Sequence, residues 1–333
     1  MAGRRTNLAL LVLLAGALAT GPLSFALGSG WARWAVVAHG VLALGIVLLT
    51  PWKSVIARRG LRRRRAGAPA SVAFAVLVVV ALGTGVGHAT GLLRTLGPVT
   101  AMQLHVGSAL VALPFGVWHV LARRVRPPRT DLSRRTLLRS GALAAGSLAA
   151  YGAVSGLVET ALPGGGRRFT GSYERGSFRP DLMPVTQWLR DSIPAIDAVA
   201  WRLEVRTGHA TRTLTMADLD RIARPIRAVL DCTGGWFAEQ EWTGVRVDRL
   251  LDSSRSRSIL ARSVTGYERR YPLADAGHLW VVTRMAGEPL SAGHGGPVRI
   301  VAPGRRGFWW VKWLERVELS DTPWWWQPPF PLT

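Results

Sequence analysis

Cysteine is almost absent: Cys232 is the one thiol in 333 residues. That excludes an internal disulfide, a cysteine-rich zinc site, a cysteine-ligated iron–sulfur cluster and a c-type haem attachment. Acidic residues are also scarce, 20 against 42 Lys and Arg, which leaves a formal net charge of +22, with Arg far outnumbering Lys. Such a balance can serve nucleic acid. Its distribution argues against that, because much of the charge sits in short loops between long apolar runs, as in membrane proteins with basic cytoplasmic loops. The length allows two or three units of ordinary domain size.

Crossing a bilayer takes about 20 apolar residues. Candidate spans fall near 8–27, 31–51, 70–92 and 99–121, with a weaker fifth near 138–158. Positive charge collects at Arg4 and Arg5, in the loop holding Lys53, Arg58, Arg59 and 62–65, and after the fourth run at Arg123, Arg124, Arg126, Arg129, Arg134 and Arg135. The other two loops hold only Arg33 and Arg94. The N-terminus and both basic loops are therefore expected in the cytoplasm of a bacterium, and everything after residue 160 outside it, at the plasma membrane.

The first four runs read as a duplicated hairpin. Ala17-Leu18-Ala19-Thr20-Gly21 parallels Ala81-Leu82-Gly83-Thr84-Gly85, His39 parallels His105, Trp52 parallels Trp118, and Ala57-Arg58-Arg59 parallels Ala122-Arg123-Arg124, at offsets of 64 to 66 residues. Ionisable residues inside spans are costly and point to function. Imidazoles on neighbouring helices can hold a haem iron from both faces, which makes His39 and His105 the preferred axial pair for a haem b and His88 their main competitor. His119 reads as an interfacial residue. All of them could instead make helix–helix hydrogen bonds. The four-span unit resembles a membrane cytochrome b that exchanges electrons with quinone. The fifth run opens on Ser133-Arg134-Arg135-Thr136-Leu137-Leu138-Arg139 and is rich in Gly and Ala, which resembles a twin-arginine export signal placed inside the chain. Paired arginines before a span can also be positive-inside residues.

After Leu162-Pro163-Gly164-Gly165-Gly166 the pattern changes. Segments 200–205, 279–283 and 298–301 read as strands. Residues 216–222 read as a helix capped by Thr215, and 247–251 as another. The whole is an α+β domain large enough for a good core. Cys232 ends an apolar strand-like run, where a lone thiol is most often a small buried hydrophobe.

Several ordered segments weigh against that plain reading. They are Gly176-Ser177-Phe178, Met183-Pro184-Val185-Thr186, the run 228–236 around Cys232, Trp242-Thr243-Gly244-Val245, Gly287-Glu288-Pro289-Leu290, and His294 to Gly304 with Gly307 and Val311-Lys312-Trp313. Together they resemble the sulfite oxidase family of molybdenum enzymes over nearly all of 168–320. The resemblance implies that Cys232 ligates molybdenum as thiolate, that Arg299, Lys312 and His294 contact the molybdopterin, and that Gly304 and Gly307 let backbone approach its phosphate. The family's sulfite oxidases carry Asn and Arg just after the cysteine, and the arginine helps hold an anionic substrate. Thr233-Gly234-Gly235-Trp236 stands there instead. That moves the expectation from sulfite toward bacterial exported branches, which include sulfoxide reductases that pair a membrane haem subunit with an exported molybdenum subunit. Tyr267 and Arg270 are candidate catalytic pocket groups. Trp324-Trp325-Trp326, followed by Gln327-Pro328-Pro329-Phe330, could lie at a membrane interface, cover an edge of the domain or dock it on the spans.

The expected architecture is an α-helical membrane bundle, four spans plus a fifth anchoring span, followed by a soluble α+β domain of the sulfite oxidase fold. The divisions are 1–126, 127–166 and 167–333. The expected activity is a molybdenum-dependent two-electron reaction on a small-molecule substrate, with electrons relayed through haem between molybdenum and quinone or another electron carrier. Membrane lipid and the twin-arginine export machinery are the other expected partners, and nucleic acid is not one. The alternatives are the same enzyme without haem, served by a separate electron partner, and a cofactor-free binding module.

Overall fold

The structure is a computed structural model that describes residues 2–62, 67–122, 133–188, 191–208, 210–252 and 256–328. Arg123, Arg124, Arg126, Arg129, the arginines of 63–65, and Pro329 and Phe330 lie outside the described residues. The chain divides into two compact units. One holds 1–24 and 31–171, the other 25–30 and 172–333.

The first unit is helical: α1 (Ala2–Ala26), α2 (Arg33–Arg62), α3 (Ala68–Thr90), α4 (Ala101–Ala122) and α5 (Arg134–Ala161). Five helices are long and apolar enough to cross a membrane by length and composition. Their outer residues stay exposed and apolar, as at Val12, Val79 and Leu137, which water would not favour. Between α3 and α4 lies a two-residue ladder, β1 (Thr95–Leu96) with β2 (Val99–Thr100). Small residues let the helices close on one another. A Cβ on Gly40 of α2 would stand 2.6 Å from the Tyr151 ring of α5, one on Gly45 would stand 2.9 Å from Ser147 Oγ, and one on Gly116 of α4 would stand 2.9 Å from the Phe74 ring of α3. Such contacts are how apolar helices associate where no hydrophobic drive separates helix from lipid. Ser133 caps α5 by accepting from the Thr136 amide, so the serine of the twin-arginine-like motif has a local structural role.

The second unit is a mixed domain of two sheets. The first runs β11 (Glu288–Pro289), β10 (Trp280–Met285), β7 (Trp236–Arg246), β3 (Tyr173–Glu174), with β12 (Arg299–Val301) also on β10 and β6 (Arg224–Cys232) also on β7. The second runs β5 (Ala210–Leu214), β4 (Leu203–Thr207), β13 (Leu314–Ser320), β8 (Ser258–Ser263), β9 (Glu268–Pro272). Period-2 burial explains the strands: Leu203, Val205 and Thr207 point inward along β4 while Glu204 and Arg206 do not. The core is built on Trp242, Leu203, Leu219, Ile300 and Leu314. The helix α6 (Met216–Ile222) carries the Thr215 cap and a reciprocal Asp218 bond to the Thr215 amide. The expected helix at 247–251 is a single 3-10 turn, Val247–Arg249. Five residues between two strands are too few to offset helix nucleation.

Candidate functional site: a thiol among buried cations

The hairpin β6–β7 is paired from Arg224↔Gly244 to Cys232↔Trp236 and turns through Thr233, Gly234 and Gly235. Cys232 therefore sits at a fixed end of a long ladder. Its backbone is clamped from two sides. The Arg306 guanidinium donates to the Cys232 carbonyl at 3.0 Å and lies 3.5 Å from Asp231 Oδ1, and Ser172 Oγ donates to that same carboxylate at 2.7 Å. Both charged side chains are 3–4% exposed. Gly307 lies against this strand end, since a Cβ there would stand 3.2 Å from Cys232 Cα. The thiol itself is half-buried. Its neighbours are the Gly234 amide, 3.3 Å from Sγ, and Thr186 Oγ1 at 3.4 Å.

Thr186 joins the thiol to the rest of the site. Lys312 Nζ donates to the Thr186 carbonyl at 2.8 Å and to the Gly293 carbonyl at 2.6 Å. His294 Nε2 is 3.1 Å from the Met183 carbonyl, which can only accept, so the proton is on Nε2; Nδ1 then accepts from Ser291 Oγ at 2.9 Å. Burial holds the His294 imidazole below its ordinary pKa, against the Met183 bond, and favours this neutral form. Arg299 donates to the His294 carbonyl at 2.8 Å and to the Trp310 carbonyl at 3.2 Å, and its guanidinium lies over Trp242 and Trp310. The structure thus brings Cys232, His294, Arg299 and Lys312 together around Met183–Thr186.

The electrostatics are one-sided. Arg299 is 1% exposed and its Nε has no hydrogen-bond partner among the described residues. Neither Arg299 nor Lys312 forms an ion pair with a carboxylate there; their partners are carbonyls. Burial lowers Arg299 to about 10, opposed by Cys232. Burial and then Arg299 lower Lys312 to about 7, opposed by Cys232 and by Asp191. A buried cation such as Arg299, with no ion pair to a carboxylate among the described residues, is costly, and an anionic ligand beside Cys232, within reach of the half-buried Lys312, would offset that cost. These residues fit molybdopterin. The phosphate-bearing ligand matches the two cations, and the thiolate matches the metal. Among the described residues no cluster of three His, Cys, Asp or Glu could hold a metal ion, so the remaining metal ligands would come from the dithiolene and oxygen. When bound, the group supplies two-electron redox chemistry at the metal.

Two sequence candidates, His294 and Tyr267, make structural contacts around this site, and a third, Arg270, does not reach it. His294 spends both ring nitrogens on Met183 and Ser291, and it positions the Met183–Thr186 segment. Tyr267 is buried and its hydroxyl donates to the Phe308 carbonyl, one residue after Gly307. Arg270 donates to Ser320 Oγ at 2.9 Å and its amide to Gln327 Oε1, away from the thiol's partners. As alternation predicts, Tyr267, Arg269 and Tyr271 point inward and Arg270 does not. Gly304 has φ 77°, which only glycine adopts freely. Asp231, Arg306, Ser172 and Thr186 were not singled out by sequence reasoning. The available signal was Asp231, an acid buried off the alternation of β6.

In the helical unit the structure brings His39 and His105 together, ring centroids 5.8 Å apart and planes at 89°. His39 Nδ1 is 3.1 Å from the Ala17 carbonyl and His105 Nδ1 is 2.7 Å from the Ala81 carbonyl. A carbonyl fixes the proton on Nδ1 in each ring and leaves Nε2 as the lone-pair nitrogen. Ala17 and Ala81 are repeat partners, as are Thr20 and Thr84, whose hydroxyls bond back to those carbonyls at 3.2 and 3.3 Å. The next repeat pair, Gly21 and Gly85, faces the two rings. His88 instead lies against Gly171, its carbonyl accepting from Arg167. His119 Nδ1 bonds with Ser71 Oγ at 3.1 Å and its ring packs on Phe74.

Comparison with known proteins agrees with the geometry of the second unit. Residues 190–326 match the oxidoreductase molybdopterin binding domain. Mitochondrial sulfite oxidase of Drosophila melanogaster is 24% identical over 164 residues, 39% of this chain and 29% of that protein. The Rattus norvegicus enzyme is 27% identical over 167 residues, 39% of this chain and 31% of that protein. An NADPH nitrate reductase of Mycosarcoma maydis is 60% identical over 37 residues, 11% of this chain and 4% of that protein. The sulfane dehydrogenase SoxCD of Paracoccus pantotrophus aligns at 22% identity and TM-score 0.36, over 39% of this chain and 40% of that chain. The chain spans less than a third of the length of the sulfite oxidases it matches. Its C-terminal part is an oxidoreductase domain. More narrowly, it is a molybdopterin-binding domain of the sulfite oxidase type.

Proposed function

We propose that this protein is a membrane-anchored molybdenum oxidoreductase. It carries out oxygen-atom transfer or a related two-electron step on a small substrate, and electrons pass through a membrane haem b to or from quinone. The observation that carries the molybdenum half is the pairing of a buried and a half-buried cation, Arg299 and Lys312, whose hydrogen bonds go to carbonyls rather than carboxylates beside the single thiol. In this reading Cys232 holds the metal, Arg299 and Lys312 hold the anionic ligand, and His294 fixes the segment that carries Thr186. The donors within reach of the sulfur, Thr186 Oγ1 and the Gly234 amide, are neutral. That favours a substrate other than sulfite.

The haem half is supported by the repeat-related pair His39 and His105, each with Nδ1 directed to the equivalent carbonyl. The apolar helices support membrane anchoring, and the basic loops support a cytoplasmic N-terminus with the oxidoreductase domain on the other side. The motif at Ser133–Arg139 supports delivery of that domain by twin-arginine export.

Molybdenum and iron per chain, measured by elemental mass spectrometry on detergent-purified protein, test both halves. About one of each is the expected result. Molybdenum without iron leaves the helices as an anchor and calls for a separate electron partner. Loss of both, from a host that makes the cofactor, overturns the enzyme reading.

A further inference from the structure

The hairpin that carries Cys232 also carries a polar group with no assigned task. Trp236, the first residue of β7, pairs with Cys232 across the turn. It is 7% exposed, and its indole Nε1 is buried with no hydrogen-bond partner among the described residues. An indole N–H can only donate, and burying it unsatisfied forfeits its hydration with nothing in return. A phenyl ring would fill an apolar core position without that penalty.

The glycine turn lies beside this donor. A Cβ on Gly234 would stand 3.5 Å from Cys232 Sγ and 3.6 Å from Trp236 Nε1. Thiol and indole N–H therefore flank the same residue, one that has no side chain to separate them. The Gly234 amide is already directed at the sulfur. The buried Arg299 Nε is a second unpartnered donor among the groups gathered around Cys232. The neighbouring Asp231 carboxylate is taken up by Arg306 and Ser172, so these donors, unpartnered among the described residues, describe a place for negative charge.

We propose that the Trp236 indole N–H donates a hydrogen bond to an anionic ligand atom of the metal centre held by Cys232. The inference rests on the molybdenum reading above. A donor to a metal ligand draws charge away from the metal and favours its reduced state. Trp236 would then tune the centre's potential while leaving its binding to Cys232, Arg299 and Lys312.

The test uses the full chain purified in detergent. Molybdenum is first counted in the native protein, and its absence there would sink the molybdenum reading before any variant is made. Trp236→Phe is then compared by reductive titration of the Mo(V)/Mo(IV) couple and by proton ENDOR of the Mo(V) signal in H2O and D2O. The expected result is native molybdenum content, loss of one exchangeable proton coupling, and a tenfold shift of the couple toward the oxidised state, about 59 mV for one electron. Should Trp236→Phe fail to fold, 3-benzothienylalanine at 236 keeps the indole shape without the N–H and must give the same two changes. A molybdenum-replete variant with unchanged potential and unchanged proton couplings overturns the proposal.

Discussion

Asp231 interrupts the alternation of β6 one position before the thiol, and its partners explain how an acid is tolerated there. Arg306 and Ser172 satisfy it in the dry interior, and Arg306 also binds the Cys232 carbonyl. Breaking a buried pair by removing one member leaves the other uncompensated. Arg306→Met should therefore destabilise the protein by about 3–5 kcal/mol, read as a shift of the denaturant midpoint at unchanged slope. Arg299 should behave oppositely. Its charge faces no carboxylate, so Arg299→Met should raise the melting temperature of cofactor-free protein. The same change should lower molybdenum and pterin content at least tenfold, on the scale of one lost charged hydrogen bond of about 1.5–3 kcal/mol. A parallel fall in stability and cofactor would show instead that Arg299 is a structural residue. Cys232→Ser should abolish molybdenum content without altering the β6–β7 ladder; full retention of metal would remove the thiol from the site. The thiol and both cations were named from the resemblance of the segments around them to the sulfite oxidase family, which is carried by local sequence. The clamp behind them was not, because Asp231 and Arg306 lie 75 positions apart and meet only in the fold.

Elements carry the site by close approach. In α3, a Cβ on Gly85 would stand 2.8 Å from His105 Nδ1, whereas one on Gly83 meets nothing within 4 Å. Gly85→Ala should displace the imidazole and lower the Soret absorbance per chain severalfold. Gly83→Ala should leave it unchanged and stabilise the helix by up to about 1 kcal/mol. Equal effects of the two changes would exclude His105 as an oriented ligand. A Cβ on Gly244, near the C-terminal end of β7, would collide with the Val281 carbonyl of β10, so that glycine is required by sheet packing. The long helices and the strands β4, β6, β10 and β12 were legible as elements, since apolar runs and alternation are local signals. The turn at 247–249 was misread as a helix because its burial, with Val247 fully inside, comes from the sheets beside it.

At the scale of the whole molecule, charge distribution makes the prediction. Because the chain has one cysteine, Cys232→Ser gives a background in which any introduced thiol reports its own side of the membrane. Arg59→Cys should react with a membrane-impermeant maleimide only after lysis, and Arg94→Cys and Asp321→Cys in intact cells. The reverse pattern would overturn the assigned orientation. The sequence by itself determined five apolar helices, an internal repeat with two matched histidines, and the residue types of a molybdopterin-binding domain. The first two depend on composition and spacing along the chain, and the third is what the resemblance of ordered segments to the sulfite oxidase family implies. Only the tertiary structure decided which carbonyls orient His39 and His105, that His294 serves Met183 and Ser291, and that Tyr267 braces the turn beside Gly307. It alone showed the Arg299 Nε and Trp236 Nε1 donors buried without a hydrogen-bond partner among the described residues. Hydrogen bonds and desolvation are set by distance in space, and residues that satisfy or fail to satisfy one another here are often a hundred positions apart in the chain.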